Sequence, residues 1–219
     1  VVDHDALDAV LESAGETVAG RSIIGLTSDT PGRARATAER VTAAGGRYLD
    51  GAIMTPTTTI GTDAASILFA GSRSVFDEHR AVFDTLATAT WLGEDAGLAA
   101  GYDVALLNLF WTAMSGFLNT LKVARANGIG PVEVLPHALG IVQILPPIFT
   151  ELAERVRDDR HDRSHAPVSS VAASLRHLIA ASADAGMGAD ALRALQRSVD
   201  AVVAKGQGAD EVTRVLDHL

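Results

Sequence analysis

The chain has 219 residues, 47% of them hydrophobic and 21% charged, and its 18 basic and 27 acidic side chains give a net charge of −9. This composition is that of a globular protein with one large or two small domains, and it excludes disordered, collagen-like and low-complexity classes. The negative charge, with no basic run longer than two residues, argues against a nucleic-acid partner. The absence of cysteine from the sequence excludes disulfides, thiolate metal ligands and a thiol nucleophile.

The first residues show no pattern typical of export. The sequence begins VVDHDA, with two acids and a histidine where a secretory signal has a basic and then an apolar region. We therefore expect a cytoplasmic protein. Because the chain also begins without methionine, we expect its reading frame to start further upstream.

Residues 1–94 alternate helical and strand patterns. Amphipathic stretches predict a short helix that includes residues 7–11 and ends at Gly15, and longer helices over 31–44 and 74–86. In the last of these we expect four side chains to face inward: Val75, Val82, Phe83 and Leu86. Compact apolar runs predict strands over 22–26, 48–54 and 67–70. Such alternation predicts βαβ units in a largely parallel sheet.

Residues 95–219 show helical patterns only. After an apolar segment over 96–121, further helices are predicted over 131–157, 168–185, 189–203 and 210–219, separated by glycine- and proline-containing breaks. We therefore predict two domains, an α/β domain over 1–94 and an all-α domain over 95–219.

The stretch DDRHDRSH, residues 158–165, is rich in side chains that can bind metals. Its spacing matches no regular metal-ligand pattern, and it lies between two predicted helices. A solvated loop is therefore favoured over a metal site, and no metal is predicted.

The apolar segment over 96–121 contains one charged side chain, Asp103, in 26 residues. A membrane span is one explanation for such a segment, but a central Asp costs about 2.5 to 3.5 kcal/mol on insertion scales, and no basic flank defines an inner side. A helix of this length would extend about 39 Å, enough to reach a second domain or subunit. Burial in a large core or a subunit interface is therefore favoured, and no membrane partner is expected.

Asp103 has only apolar neighbours along the same face of the predicted helix, among them Ala99, Leu107 and Trp111. Burial without a cationic partner would let its carboxyl hold a proton near neutral pH and act as a general acid. An Asp that bonds a nearby backbone group, or that is exposed near the helix start, explains the sequence equally well. Composition does not decide between these alternatives.

Other sequence motifs that indicate catalysis or cofactor binding are few. The sequence contains no GxSxG, HExxH, P-loop or GxGxxG pattern. Two segments follow predicted strands at the edge where open α/β sheets bind ligands, residues 27–30 and 50–56. Either segment is also compatible with an ordinary capping turn.

Four segments together resemble the imine reductases, relatives of the β-hydroxyacid dehydrogenases. They are LTSDTP (26–31), YLDGAIMTPTTTIG (48–61), ILFAGSRSVFD (67–77) and GLAAGYDVALLNLFW (97–111). The resemblance implies the C-terminal part of a Rossmann-type domain that binds NADPH, a long interdomain helix, and an all-α domain that intertwines with its partner in a homodimer. It also implies reduction of a small-molecule imine, with the active site between the two subunits.

The resemblance assigns roles to individual residues. Asp103, in the family's YD pair, falls on the catalytic position and would protonate the imine or orient the iminium. The expected substrate-pocket residues are Tyr102, Leu107, Trp111 and Met54. The expected cofactor contacts are Thr27, Ser28, Ile53 and Pro56.

Two departures from the family pattern bear on function. The family's glycine-rich first turn and the Asn-Arg segment that recognises the 2′-phosphate should precede Val1, so this polypeptide as it stands should hold NADPH poorly. Reductive aminases of the family carry Asn where this chain has Gly25. We therefore expect reduction of preformed cyclic imines rather than coupling of a ketone with an amine.

Two other functions compete with imine reduction. A β-hydroxyacid dehydrogenase would use a Lys early on the long helix, whereas the first Lys after residue 97 is Lys122. A non-catalytic helical dimerisation module fits the composition too, but it gives no reason to keep Asp103 in an apolar stripe.

Overall fold

The computed structural model describes residues 1, 3–162 and 166–219, which form two compact units, 1–113 and 114–219. The first unit contains a four-stranded sheet, three helices and the first part of a long fourth helix. Its strands are β1 (Ser22–Gly25), β2 (Arg47–Ile53), β3 (Ser66–Gly71) and β4 (Thr88–Trp91). Its helices are α1 (His4–Ala14), α2 (Pro31–Ala43), α3 (Arg73–Leu86) and α4 (Gly97–Ala126), which continues into the second unit.

Side-chain caps explain where the first three helices begin. Asp3 accepts a hydrogen bond from the amide of Ala6 at 2.8 Å, and Thr30 accepts one from Arg33 at 3.4 Å just before the proline that opens α2. Ser72 likewise accepts from the amide of Val75 at 3.4 Å. Short polar side chains satisfy amides that the first helical turn leaves without partners.

The sheet is mixed, so the prediction of a largely parallel sheet is wrong at its centre. The strand order is β1-β2-β3-β4, with β1–β2 and β3–β4 parallel but β2–β3 antiparallel. A parallel crossover needs about a dozen residues, usually in a helix, whereas β2 and β3 are joined by a loop with one short 3-10 helix, Thr57–Thr59. The parallel pairs are joined by α2 and α3. The sequence prediction also missed β4, which has only four residues.

One face of the sheet packs against α3. Leu49, Ile67 and Phe69 from the strands are buried with side chains of the helix, and Phe69 stacks on Phe83 with ring centroids 4.2 Å apart. Val82, which was predicted to face inward, is 58% exposed, so that prediction is wrong. Phe76, which was not predicted to face inward, is buried, because the aromatic side chains of α3 lie on the face that meets the sheet.

The opposite face of the sheet packs against the beginning of α4. Ala52 of β2, Ala70 of β3 and Ala99 of α4 form a buried cluster of small side chains. Small residues let the helix approach the sheet closely at this point. Asp95 stabilises the helix start, since it accepts a hydrogen bond from the amide of Gly97 at 2.9 Å and pairs with Arg35 at 2.8 Å.

The second unit is entirely helical. Besides the end of α4 it contains α5 (Pro131–Arg157), α6 (Val168–Asp184), α7 (Asp190–Ala204) and a 3-10 helix, Val212–His218. The bounds of α5 are those predicted, and α6 and α7 confirm their predictions within one residue. The terminal segment forms a 3-10 helix and not the predicted α-helix; it packs through Val215 on Val168 and Val199.

The boundary between the compact units lies inside α4, because the first part of this helix belongs with the sheet. The domain boundary predicted between residues 94 and 95 stays a prediction. Of the stretch 158–165, residues 163–165 lie outside the described residues.

Two helices of the described chain, α4 and α5, are long and apolar enough to cross a membrane by length and composition alone. Both carry many exposed apolar side chains. The most exposed of them are Trp111, Leu118, Val132, Ile141 and Val142.

Candidate active site

A cavity of about 290 Å³ opens in the first unit where β2 ends beside α4. Its lining is apolar apart from one threonine and one carboxyl group. The lining residues are Ile53, Met54, Thr55, Pro56, Asp103, Leu106, Leu107 and Phe110. Half come from the end of β2 and the turn after it, and half from two turns of α4. The cavity therefore has the size and apolar character of a small-molecule site.

Asp103 is the charged residue in this lining. It is only 3% exposed, because the helix turn before it packs through Ala99 against the sheet. Within the described part of the chain, its carboxyl forms no ion pair and no side-chain hydrogen bond with another residue. A buried carboxyl without a cationic partner in the protein favours a positively charged ligand.

The structure brings together three of the predicted catalytic and pocket residues, Asp103, Leu107 and Met54, around one cavity. Tyr102 is half exposed and borders a second, apolar cavity of about 460 Å³ with Arg35 and Leu98. Trp111 lines neither cavity and is 64% exposed. Its ring packs edge-on against Phe110, a lining residue that the sequence interpretation missed.

The four predicted cofactor residues fall at the ends of two neighbouring parallel strands. Thr27 is half-buried and Ser28 is exposed, in the turn between β1 and α2. Ile53 and Pro56 line the same cavity as Asp103. Hydroxyl groups and a helix start at the carboxyl ends of parallel strands are suited to contact a ribose or a polar ligand group.

Asp50, a buried acid in the middle of β2, was not predicted as a site residue. It is 3% exposed and accepts a hydrogen bond from the hydroxyl of Tyr48 at 3.0 Å. Burial raises the pKa of the Asp50 carboxyl to about 6, and the charge of Asp103 adds to this effect, while hydrogen bonds from Tyr48 and the Ala100 amide oppose it. An acid inside the apolar run YLDGAI is the sequence signal that could have identified it, because a buried carboxyl needs partners.

The described residues contain no cluster of three or more His, Asp or Glu side chains that could hold a metal ion. In the stretch 158–165, His161 contacts the Thr213 hydroxyl at 2.9 Å through Nδ1 and Asp159 at 3.1 Å through Nε2. These contacts join the loop after α5 to the terminal 3-10 helix.

Comparison with known proteins identifies relatives along the whole chain. Residues 95–219 match the family model of the NADPH-dependent reductive aminase-like C-terminal domain. An NADPH-dependent reductive aminase from Aspergillus oryzae (strain ATCC 42149 / RIB 40) is 24% identical over 226 residues, which cover 100% of this chain and 75% of that protein.

Solved structures agree with this match. An imine reductase from Streptomyces aurantiacus is 31% identical with a TM-score of 0.93, over 99% of this chain and 76% of that one. A reductive aminase from Aspergillus terreus, solved with NADPH4, cyclohexanone and allyl amine, is 28% identical with a TM-score of 0.92, over 100% of this chain and 76% of that one. The family model covers more than half of the chain, and the sheet, the long helix and the helical unit all have counterparts in these structures. The chain therefore belongs to the family of imine reductases and reductive aminases.

Proposed function

We propose that this protein is an NADPH-dependent oxidoreductase that reduces small imines to amines. The observation that carries the proposal is the buried carboxyl of Asp103 in the lining of a nearly apolar cavity, in a member of this family. The family relationship supports the reaction class, since relatives are reductive aminases and imine reductases. The role of each residue rests on the geometry of the cavity.

The residues at the strand ends fit one end of the cofactor. Ser28 and the half-buried Thr27 offer hydroxyl groups beside the start of α2, and Ile53 and Pro56 form an apolar wall on the side of Asp103. These residues would hold the nicotinamide ribose and ring. When bound, NADPH supplies a hydride for the imine carbon. The described residues contain no glycine-rich strand–turn–helix, so the pyrophosphate would need partners beyond those described.

Asp103 would supply the charge and the proton that the reaction requires. A C=N bond becomes strongly electrophilic only when its nitrogen is protonated, and the iminium is a cation. A carboxylate in an apolar cavity stabilises that cation more than water does, because water does not screen the pair. Asp103 therefore either donates a proton to the imine nitrogen or holds the iminium as its counter-ion.

Preformed cyclic imines are the proposed substrate class. The cavity is small, and nearly all of its lining is apolar, which suits a compact ring with one nitrogen. The Asn that the resemblance assigns to reductive aminases is replaced by Gly25, which supports reduction of a preformed imine. Reduction of a C=N bond already formed makes fewer demands on polar groups than joining a ketone to an amine.

Reduction of a carbonyl in the manner of the β-hydroxyacid dehydrogenases has less support. Enzymes of that class would use a Lys early on the long helix. The first Lys of this helix is Lys122, which belongs to the second unit, and its Nζ donates to the backbone carbonyl of Gly186 at 3.4 Å. No lysine lines the cavity around Asp103. A carboxyl alone is better suited to a cationic iminium than to a neutral carbonyl.

A homodimer is the proposed assembly. Many apolar side chains of α4 and of α5 are exposed, as is typical of helix faces that another chain covers. A second copy is favoured over lipid, because α4 begins against the sheet with the carboxyl of Asp103 on its buried side.

The test is NADPH oxidation by the protein expressed from its complete reading frame, with a five- or six-membered cyclic imine. We expect turnover in the parent and a loss of about 100-fold or more in Asp103→Asn, the usual effect of removing a general acid. Asp63→Asn, which removes an exposed carboxyl of the same unit, should leave the rate unchanged. Equal rates in Asp103→Asn and the parent would refute the assignment, and oxidation of β-hydroxyacids without imine reduction would support the dehydrogenase instead.

A further inference from the structure

Tyr48 and Asp50 form a buried pair on the face of β2 that meets α4. The Tyr48 hydroxyl donates to Asp50 Oδ1 at 3.0 Å, and the two residues are 4% and 3% exposed. Because side chains two apart on a strand share one face, both point to the same side as Ala52, which contacts Ala99 of α4. The pair therefore lies behind the cavity and not in its lining.

The fold leaves a specific space for this pair. Gly25 of β1 is in register with Asp50, and a Cβ at Gly25 would lie 2.2 Å from the Tyr48 hydroxyl oxygen. Any side chain there would displace the hydroxyl from Asp50. The absence of a side chain at Gly25 is therefore a condition for the Tyr48–Asp50 hydrogen bond.

Asp50 connects this pair to the catalytic helix. The backbone amide of Ala100, in the first turn of α4, donates to the Asp50 carboxyl. Asp103 follows Ala100 by three residues, a rise of about 4.5 Å along the helix. The negative charge of Asp103 raises the pKa of the Asp50 carboxyl, because like charges repel.

We propose that Tyr48 and Asp50 are positioning residues for Asp103, which hold the first turn of α4 against β2 and set the charge that the Asp103 carboxyl faces. The catalytic part of this inference rests on the proposed function. The groups that face Asp50 are Tyr48 on its own strand and Asp103 on α4, and Tyr48 is faced in addition by Arg40 of α2 and Asp8 of α1.

The first experiment measures the titration of Asp50 in the ligand-free protein by carboxyl ¹³C NMR. The parent should show a carboxyl with a pKa of about 6 that is absent in Asp50→Asn. Its pKa should fall in Asp103→Asn, where a like charge is removed, and rise in Tyr48→Phe, where a hydrogen-bond donor is removed. Gly25→Ala should act like Tyr48→Phe, because it displaces the hydroxyl without altering either partner.

Val41→Ala is the matched control for these variants. Val41 is buried beside Tyr48 in the same cluster but contributes nothing to the ionisation of Asp50, so the substitution should lower stability and leave the titration in place. A carboxyl pKa that does not respond to Asp103→Asn would overturn the proposal. So would a titration near pH 6 that persists in Asp50→Asn.

The second experiment compares the pH dependence of imine reduction. In Asp50→Asn we expect kcat to fall about tenfold while KM stays within about twofold, and we expect the kcat profile to lose an ionisation near pH 6. Val41→Ala should keep that ionisation. An unchanged profile in Asp50→Asn would contradict the positioning role. If the parent reduces no imine, the proposed function fails, and the NMR titration decides the Asp50–Asp103 coupling independently.

Discussion

Asp50 carries an electrostatic cost that links the stability of the fold to pH. Burial raises the pKa of its carboxyl from 3.8 to about 6, with a further contribution from the charge of Asp103. The unfolded chain, in which the carboxyl is in water, releases this proton near its ordinary value. Between pH 4 and 6 the folded protein therefore binds more protons than the unfolded chain, and its stability falls as pH rises. Below pH 4 both states are protonated and the cost disappears.

Asp50→Asn should remove this pH dependence. A shift of about two pKa units corresponds to about 3 kcal/mol at 1.36 kcal/mol per unit. The free energy of unfolding of Asp50→Asn minus that of the parent should therefore rise by about 2 to 3 kcal/mol between pH 4 and pH 7.5. Urea denaturation at both pH values measures it, with Asp63→Asn as a control whose difference stays constant. A constant difference for Asp50→Asn as well would show that Asp50 has no raised pKa.

The two acids of the site differed in how far the sequence could identify them. Asp103 stood alone among apolar residues of a long helix, which made it a candidate site residue, but composition did not decide whether its carboxyl is buried or exposed. Asp50 lay in a short strand, where alternation alone does not say which face is buried. Its partners, Tyr48 and the Ala100 amide, meet it only because β2 packs against the start of α4. Local sequence patterns do not predict a contact of this kind between distant segments.

At the scale of elements, helix α3 shows where the sequence prediction succeeded and failed. Its existence, its end at residue 86 and three inward side chains, Val75, Phe83 and Leu86, were predicted correctly. Only Val82 was wrongly expected to face inward beside Phe83. The aromatic rings determine which face of α3 is buried. The ring centroids of Phe76 and Phe83 are 5.8 Å apart, and both rings contact Phe69 of β3. Burial of large rings outweighs burial of a valine.

Phe83→Ala should therefore destabilise the protein by about 3 to 5 kcal/mol, because it removes a stacked ring and leaves a cavity. Val82→Ala, at the next position of the same helix, should change stability by less than about 0.5 kcal/mol, since its side chain is 58% exposed. Thermal or urea denaturation of both variants measures the difference. Equal losses would mean that Val82 is buried as well as Phe83.

The direction of β3 is a second element that local patterns could not supply. The apolar run over 67–70 predicts a strand whichever way it runs. What makes β3 antiparallel to β2 is the intervening loop, which holds only a short 3-10 helix and returns the chain along the same edge. Ile53 therefore pairs with Ile67, close to the turn that forms one wall of the cavity. The wall depends on this reversal.

At the scale of the whole molecule, the apolar surfaces of α4 and α5 require an explanation that the single chain does not provide. Leu118 is 60% exposed and Ile141 is 62% exposed, and both lie among other exposed apolar side chains of their helices. Burial of apolar surface is favourable by about 25 cal/mol per Å² removed from water. In the proposed homodimer, a second copy would bury these side chains.

Light scattering of the protein from its complete reading frame should accordingly give twice the mass of its own chain at micromolar concentration, without detergent. Leu118→Glu and Ile141→Glu each place a charge in the proposed interface, so each should shift the protein towards monomer and lower imine turnover. Val82→Glu introduces the same charge at a similarly exposed position on α3 and should leave the dimer intact. A parent that is monomeric in buffer would refute the dimer. A parent that stays soluble only in detergent would instead assign these helices to a lipid surface.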